Sequence, residues 1–232
     1  LTRSFTRLSE VGDSRLYFMA YAAVERNHKL GFTFSQGSLV REDAPNRSRR
    51  ADVEIRIGNR PFDNTHYFRE RSGSVRFPHL RQFNLPIDDD SAAIRAALWK
   101  STDLAFKDAV EKLRDLQTNV SVKVKEQDTS DDFSTESPVE FVQPVETFDP
   151  DPDRLKTTAR DLSRLFLPHP WIYNSQVSVS ADHNAGYFVS TEGTRLTLSD
   201  PMLTLNLTAQ TLAPDGMELR LYRNYYLRTE KD

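Results

Sequence analysis

The sequence predicts an α+β fold, in which two units of helix plus antiparallel sheet are joined by a long amphipathic helix. Three observations lead to this prediction. Apolar residues recur at helical spacing across 88–120, apolar and polar residues alternate on either side of that segment, and the two halves show the same element order. That order is helix, strand, strand, glycine turn, strand, strand, and it suggests an internal duplication.

The long helix is predicted for residues 88–120. Its acidic start, Asp88-Asp89-Asp90, suits the positive end of a helix dipole, and Asp90 or Ser91 can cap the free N–H groups. One apolar stripe and a second beside it make a broad buried face, formed by Ile94, Leu98, Ala105, Ala109, Leu113 and Leu116 and by Trp99, Phe106 and Val110.

The first α/β unit is expected over residues 1–86. It begins with helical spacing at Leu1, Phe5 and Leu8. Strands are predicted at 15–26, 29–36, 38–41 and 52–57, with turns at Asn27-His28 and at Gly37. Residues 60–86 contain four prolines or glycines and several aromatics, so we expect a loop that packs against the core or a partner.

An acidic linker is expected over 121–150, and the second α/β unit over 151–232. Asp151-Pro152 is a strong helix start, because the aspartate caps and proline is tolerated in the first turn. β pattern returns from Trp171, with glycine turns at Gly193 and Gly216.

Composition excludes several classes of protein. No apolar run approaches the roughly 20 residues that span a bilayer, so the sequence predicts no membrane association. The absence of cysteine excludes disulfides and thiolate chemistry. The first residue is leucine, from which a processed or trimmed N-terminus is expected, and the compartment stays open.

Charge is unevenly distributed, although the net charge is only −3. Ten arginines and six acidic residues lie within 41–81, where aromatic residues are interspersed as in single-strand nucleic-acid binders. The acidic residues dilute this pattern, and solvated loops and helix faces explain it with fewer assumptions. Nucleic-acid binding is therefore not expected.

The residues show no catalytic motif. The five histidines lie at least thirteen residues apart, which excludes a helical HExxH or HExxxH zinc motif. The acidic run at 88–90 could bind a hard cation, but helix capping explains it. Asp63-Asn64-Thr65 could belong to an active site, and Asx-turn chemistry explains it equally well. No catalytic, metal-binding or cofactor-binding residue is predicted.

Several short motifs nevertheless occur in a recognisable order. They are Arg56-Ile57-Gly58, Phe62-Asp63-Asn64-Thr65, Leu85-Pro86-Ile87-Asp88-Asp89-Asp90, Ala93-Ile94-Arg95-Ala96-Ala97-Leu98-Trp99, Asp131-Asp132-Phe133-Ser134, Thr191-Glu192-Gly193-Thr194 and Pro214-Asp215-Gly216-Met217. In this order the chain resembles the N-terminal region of the TldD/PmbA family, peptidase-related proteins also called modulators of DNA gyrase.

The resemblance implies that residues 1–232 form a single N-terminal domain. In the family, a zinc-dependent peptidase site with an HExxxH helix lies in a C-terminal domain, which this sequence does not include, and non-catalytic partner subunits also occur. The implied partners are the chain's own C-terminal peptidase domain, a second subunit in a homo- or heterodimer, and a peptide substrate. Zinc is implied only for the C-terminal domain, and a cytoplasmic location is the family default.

Two hypotheses about function remain at this point. The chain is either a non-catalytic domain that controls substrate access and dimerisation, or a free-standing module that binds a protein or nucleic acid. In both cases the predicted interaction surface is the loop after the fourth strand, with Phe62, Asp63, Asn64, Tyr67, Phe68 and Phe77.

Overall fold

The structure is a computed structural model that describes residues 1–10, 15–66, 81–120, 130–145 and 147–228. These residues form three helices and eight strands. The helices are α1 (Thr2–Ser9), α2 (Ser91–Val120) and α3 (Pro152–Arg164); the strands are β1 (Leu16–Ser35), β2 (Ser38–Asp43), β3 (Asn46–Ile57), β4 (Arg81–Asn84), β5 (Glu140–Val142), β6 (Ile172–Ser190), β7 (Arg195–Leu212) and β8 (Glu218–Leu227). Within these residues, no helix has both the length and the apolar character needed to cross a membrane.

All eight strands belong to one sheet. Its order is β4-β3-β1-β6-β7-β5, while β2 also pairs with β1 and β8 also pairs with β7. The pairs β1–β2, β3–β4 and β7–β8 are antiparallel, and the three-residue strand β5 runs parallel to β7. The α+β prediction is confirmed.

The predicted turn at Asn27-His28 is wrong. Both residues lie inside β1, which continues without a break for 20 residues. The chain reverses instead at Gln36 and Gly37, whose φ angles of 48° and 83° suit a tight hairpin, and Ser35 pairs with Ser38 across it. The second half likewise has one 19-residue strand, β6, ahead of its glycine turn, where two were predicted.

The first compact unit comprises Leu1–Val24, Arg49–Gln143 and Gly186–Leu198. Its core combines residues of α1, β1, β3 and α2, namely Leu8, Leu16, Met19, Tyr21, Val53, Ile55, Ile57, Phe106, Ala109 and Leu113. Along α2, Leu98, Ala105 and Val110 pack against this core, whereas Trp99 remains 37% exposed. The predicted helix face is therefore confirmed for its C-terminal two-thirds.

The start of α2 is fixed by two carboxylates of the predicted acidic run. Asp90 Oδ1 accepts hydrogen bonds from the backbone N–H of Ala92 at 2.8 Å and of Ala93 at 3.4 Å, which confirms Asp90 as the cap. Asp89 Oδ1 accepts a 2.6 Å bond from Arg49, so the helix start is tied to β3.

The second compact unit comprises Glu25–Ser48, Pro144–Ala185 and Ser199–Asp232. Its core is formed by Leu30, Phe32, Phe34, Ala159, Val177, Val179, Ala181 and Leu203. The predicted start of α3 is confirmed, since Asp151 Oδ1 accepts hydrogen bonds from the N–H groups of Asp153 and Arg154 at 3.0 and 3.2 Å.

Neither compact unit coincides with a predicted contiguous range. The reason is that β1, β3, β6 and β7 each contribute residues to both units. Moreover, α2 buries its apolar face in the core of the first unit, and β5 lies inside the predicted linker. Each half does show a helix, a long strand, a glycine turn and returning strands, but the internal duplication stays a prediction.

Candidate functional site

The loop after β3 folds back onto the end of that strand. Gly58, with a φ of 115°, forms an isolated antiparallel bridge with Asp63. A Cβ at this position would lie 2.7 Å from the carbonyl oxygen of Phe62, so the close approach requires glycine. Asn64 completes the fold: its Oδ1 accepts a 2.7 Å bond from Ile57 N–H, and its Nδ2 donates to the Ile55 carbonyl at 3.0 Å.

Asp63 is the centre of this loop and is fully buried. Its Oδ2 accepts hydrogen bonds from the Tyr17 hydroxyl at 2.5 Å and from Arg56 Nη1 at 3.0 Å. Its Oδ1 accepts from the backbone N–H and the hydroxyl of Thr65, at 2.6 and 2.7 Å. The contact with the Thr65 N–H is the Asx turn that the sequence predicts. Four hydrogen bonds satisfy this buried carboxylate.

The segment containing Asp132 and Phe133 closes over Asp63. Asp132 Oδ2 accepts a 2.8 Å bond from Asp63 N–H, and its Oδ1 lies 2.7 Å from Nδ1 of His66. The ring of Phe133 lies beneath the Arg56 guanidinium, with 4.1 Å between its centroid and Cζ, which is a cation–π contact. We use the name Asp63 cluster for Tyr17, Arg56, Asp63, Thr65, His66, Asp132 and Phe133.

A further arginine links the cluster to the turn after β6. Arg60 donates to the carbonyl of Ser134 and forms an ion pair with Glu192. Next to Glu192, the backbone N–H of Thr191 donates to the Met19 carbonyl at 2.9 Å, and the Met19 N–H donates to Thr191 Oγ1 at 3.0 Å. Four of the motifs that carry the family resemblance therefore meet at one place in the first unit.

Electrostatics in the cluster reflect its burial. Burial alone would raise the pKa of Asp63, but the hydrogen bonds from Tyr17, Thr65 and Arg56 outweigh it and hold the pKa below the ordinary value. Burial, together with the Asp63 carboxylate, raises the pKa of the Tyr17 hydroxyl. Burial also raises the pKa of Asp132, despite its bonds from Asp63 N–H and His66. At neutral pH the cluster therefore holds an ionised Asp63 beside a protonated Tyr17.

The cluster holds the loop after β3 in one conformation. Asp63 and Asn64 are 0% and 6% exposed, and their side chains hold the loop through the hydrogen bonds described above. Phe62 is half-buried against the core of the first unit, with its ring centroid 4.6 Å from that of His66. Tyr67, Phe68 and Phe77 lie outside the described residues, so the interaction surface stays a prediction.

Sequence reasoning missed most of the partners of Asp63. The sequence places Tyr17 only within the predicted strand 15–26, and Asp132 and Phe133 only within the predicted linker 121–150. The available signal is the alternation of β3, which places Arg56 beside the acidic residues Asp52 and Glu54 on the polar face of the strand. The Arg56 side chain is nevertheless only 12% exposed, and it pairs with Glu54 and Asp63.

The four histidines that the structure describes do not converge. His28 contacts Asp182, His66 contacts Asp132, and His183 contacts the hydroxyl of Ser199, while the ring of His169 packs against that of Trp171. His79 lies outside the described residues. Within the part of the chain that the structure describes, no group of three histidine or carboxylate side chains is placed to hold a metal ion.

Five arginines of the 41–81 segment form ion pairs with carboxylates, among those whose side chains the structure describes. The pairs are Arg41 with Asp43, Arg47 with Glu25, Arg49 with Asp89, Arg56 with Glu54 and Asp63, and Arg60 with Glu192.

Comparison with known proteins shows which solved structures have a similar fold. No protein-family model matches the sequence, and no curated protein does so. Among solved structures, the chain is similar to two proteins described as putative modulators of DNA gyrase. For the protein from Thermotoga maritima the TM-score is 0.54 at 9% identity, and for that from Bacteroides thetaiotaomicron it is 0.53 at 10% identity.

Both similarities cover 100% of this chain but only 43% and 45% of the two solved chains, so it spans less than half their length. A similarity with a TM-score of 0.44 and 9% identity to TldE from Thermococcus kodakarensis covers 98% of this chain and 43% of that one. The two similarities above 0.5 establish the fold, and they confirm the TldD/PmbA-like fold that the motif order predicts.

Proposed function

We propose that this chain is the non-catalytic N-terminal domain of a TldD/PmbA-like zinc metallopeptidase, or of the non-catalytic partner subunit of one. Its role is to contribute to substrate access and dimer assembly. The observation that carries the proposal is the fold similarity, which includes the whole of this chain and less than half of each solved protein. In this proposal the chain's partners are its own C-terminal peptidase domain, a second subunit and a peptide substrate.

The Asp63 cluster supports a structural role for this domain, in which the loop after β3 is held in one conformation. A buried carboxylate with four hydrogen bonds favours one conformation of the loop, because breaking these bonds leaves buried polar groups without partners. The loop that it fixes leads directly into the aromatic segment predicted to contact a partner.

Strand β8 supports the assembly role. It pairs with β7 from Leu203↔Leu227 to Leu212↔Glu218, and its other edge has no strand partner among the described residues. Leu219 and Leu221 are 43% and 62% exposed, and Tyr222 and Tyr226 are 65% and 66% exposed. Apolar side chains exposed on both faces of an edge strand favour a protein contact. We assign this contact to a second subunit.

Light scattering coupled to size exclusion tests the assembly role. We expect the chain to have the mass of a dimer, and Leu221→Asp to have that of a monomer, since a carboxylate on β8 would have to be desolvated in the contact. Leu165→Asp is the matched control, because Leu165 is 66% exposed but follows α3. It should remain dimeric. A monomeric parent chain, or equal dissociation in both variants, would exclude β8 as the subunit contact.

A further inference from the structure

A pocket of about 370 Å³ in the first unit is lined by three arginines and by no described carboxylate. Arg3 and Arg7 lie one turn apart on α1, and Arg95 lies one turn before Trp99 on α2. Among the residues that the structure describes, none of the three makes an ion pair and no acidic side chain lines the pocket. The chain has a net charge of −3, so this concentration of positive charge is local.

Two aromatic side chains form the rest of the wall. The Arg7 guanidinium lies over the ring of Trp99, with 5.4 Å between Cζ and the ring centroid, and this contact orients both side chains. Tyr21 is held in place by a hydrogen bond, because its hydroxyl is 2.7 Å from that of the buried Thr102. The pocket lining thus combines three arginines with two aromatic side chains that each have a defined contact.

Arginines left without anionic partners at one place indicate an anionic ligand. Each guanidinium is always charged and offers five N–H donors in a planar fork that matches an oxyanion. A phosphate monoester carries roughly −1.5 to −2 charge at neutral pH and three acceptor oxygens, so it matches three arginines better than a single carboxylate does. The spacing of four residues places Arg3 and Arg7 on one face of α1, and Arg95 of α2 lines the same pocket.

We propose that this pocket binds the phosphate group of a small phosphate monoester or of inorganic phosphate, with Arg3, Arg7 and Arg95 as the phosphate-binding residues. The proposal does not depend on the assembly role of β8. The phosphate could be free or attached to a larger group such as a nucleoside, and the pocket walls offer Trp99 as the apolar surface for that group.

Fluorescence of Trp99 provides the test. The chain has two tryptophans, and Trp171→Phe leaves Trp99 as the sole tryptophan. In this background, inorganic phosphate, adenosine monophosphate and adenosine are titrated at constant ionic strength. We expect saturable changes with phosphate or with the monophosphate, and none with adenosine. Tighter binding of the monophosphate than of phosphate would identify a nucleotide, and equal binding would identify the free anion.

Two variants decide whether the arginines are responsible. Arg95→Gln should weaken binding by about tenfold or more, as expected when one charge-assisted contact is lost. Arg50→Gln removes the same charge from an exposed position on β3 outside the pocket and should leave binding unchanged. Thermal unfolding of both variants should match that of the parent, because both side chains are exposed. No saturable response, equal binding of adenosine, or an Arg95→Gln variant that binds like the parent would overturn the proposal.

Discussion

Asp63 has an environment unlike that of an ordinary surface aspartate. It is fully buried and pairs with Arg56, whose side chain is 12% exposed. Replacement by alanine would leave the guanidinium and the Tyr17 hydroxyl without their acceptor. We therefore expect Asp63→Ala to lower the free energy of unfolding by ~3–5 kcal/mol, as for breaking a buried ion pair.

Urea denaturation measures this change, and the same motif region offers a control. Asp131 is exposed and belongs to the segment that closes over Asp63. Asp131→Ala should change the free energy of unfolding by less than ~0.5 kcal/mol. Equal effects of the two substitutions would show that Asp63 is not the centre of the cluster.

The two carboxylates of the cluster predict opposite pH dependences. The folded state lowers the pKa of Asp63, so its stabilisation is complete above its unfolded-state pKa and is lost as pH falls through the folded-state pKa. The folded state raises the pKa of Asp132, mainly through burial, so stability falls as pH rises from the unfolded-state to the folded-state pKa.

Unfolding free energies of the parent, Asp63→Asn and Asp132→Asn, measured across the acid range, check these signs. Below the ordinary aspartate pKa, the advantage of the parent over Asp63→Asn should shrink as pH falls. Relative to Asp132→Asn, the parent should lose stability as pH rises above that value. Parallel curves for all three proteins would contradict both assignments.

At the residue scale, the sequence predicts local contacts and misses distant ones. The Asx turn from Asp63 to Thr65 spans two residues and follows from residue type alone. Tyr17 and Asp132 lie 46 and 69 positions from Asp63 along the chain, and no local pattern links them to it. The acidic, proline-containing composition around Asp132 favours a mobile linker, whereas the contacts of Phe133 with Arg56 and Phe18 hold it in place.

At the scale of elements, α2 carries the clearest energetic prediction. Leu113 is 5% exposed and belongs to the core of the first unit, while Leu98 only packs against its border. Leu113→Ala should cost ~2–5 kcal/mol, because it removes buried methyl groups and leaves a cavity, and Leu98→Ala should lie at or below the lower end of that range. Chemical denaturation provides the measurement.

Ile87→Ala is the matched control for α2. Ile87 precedes the helix and is 50% exposed, so its truncation should change stability by less than ~0.5 kcal/mol. A similarly small effect for Leu113→Ala would mean that the buried face of α2 is assigned incorrectly.

Helices were better predicted than strand ends, for a physical reason. The helices α2 and α3 are specified by a 3.6-residue period and by capping aspartates, both of which are local. Asn27-His28 resembles a turn by composition, but pairing with neighbouring strands keeps β1 extended, and His28 contacts Asp182 at 2.8 Å. Tertiary pairing thus overrides a local turn preference.

At the scale of the whole molecule, the order of motifs predicted the fold although each motif is short. The structure explains why, since Arg56, Asp63, Asp132 and Glu192 belong to one connected set of contacts in the first unit. Because these residues satisfy one another's hydrogen bonds in one cluster, the motifs that contain them belong to a single local structure. The division into two discontinuous units depends on strand pairing over long separations, and sequence periodicity does not encode it.

The last prediction concerns chemistry: the isolated chain should neither bind zinc stoichiometrically nor cleave peptides. A catalytic zinc site needs about three protein ligands that converge within roughly 2.0–2.3 Å of the metal. The sequence has no cysteine, and His28, His66 and His183 each contact a different partner, Asp182, Asp132 and Ser199. Zinc calorimetry and a peptidase assay on the purified chain are the measurements. His169→Ala serves as the control, because the ring of His169 packs against Trp171 rather than a carboxylate. One tightly bound zinc per chain, lost in His66→Ala or His79→Ala but retained in the control, would place a metal site in this domain and refute its non-catalytic role.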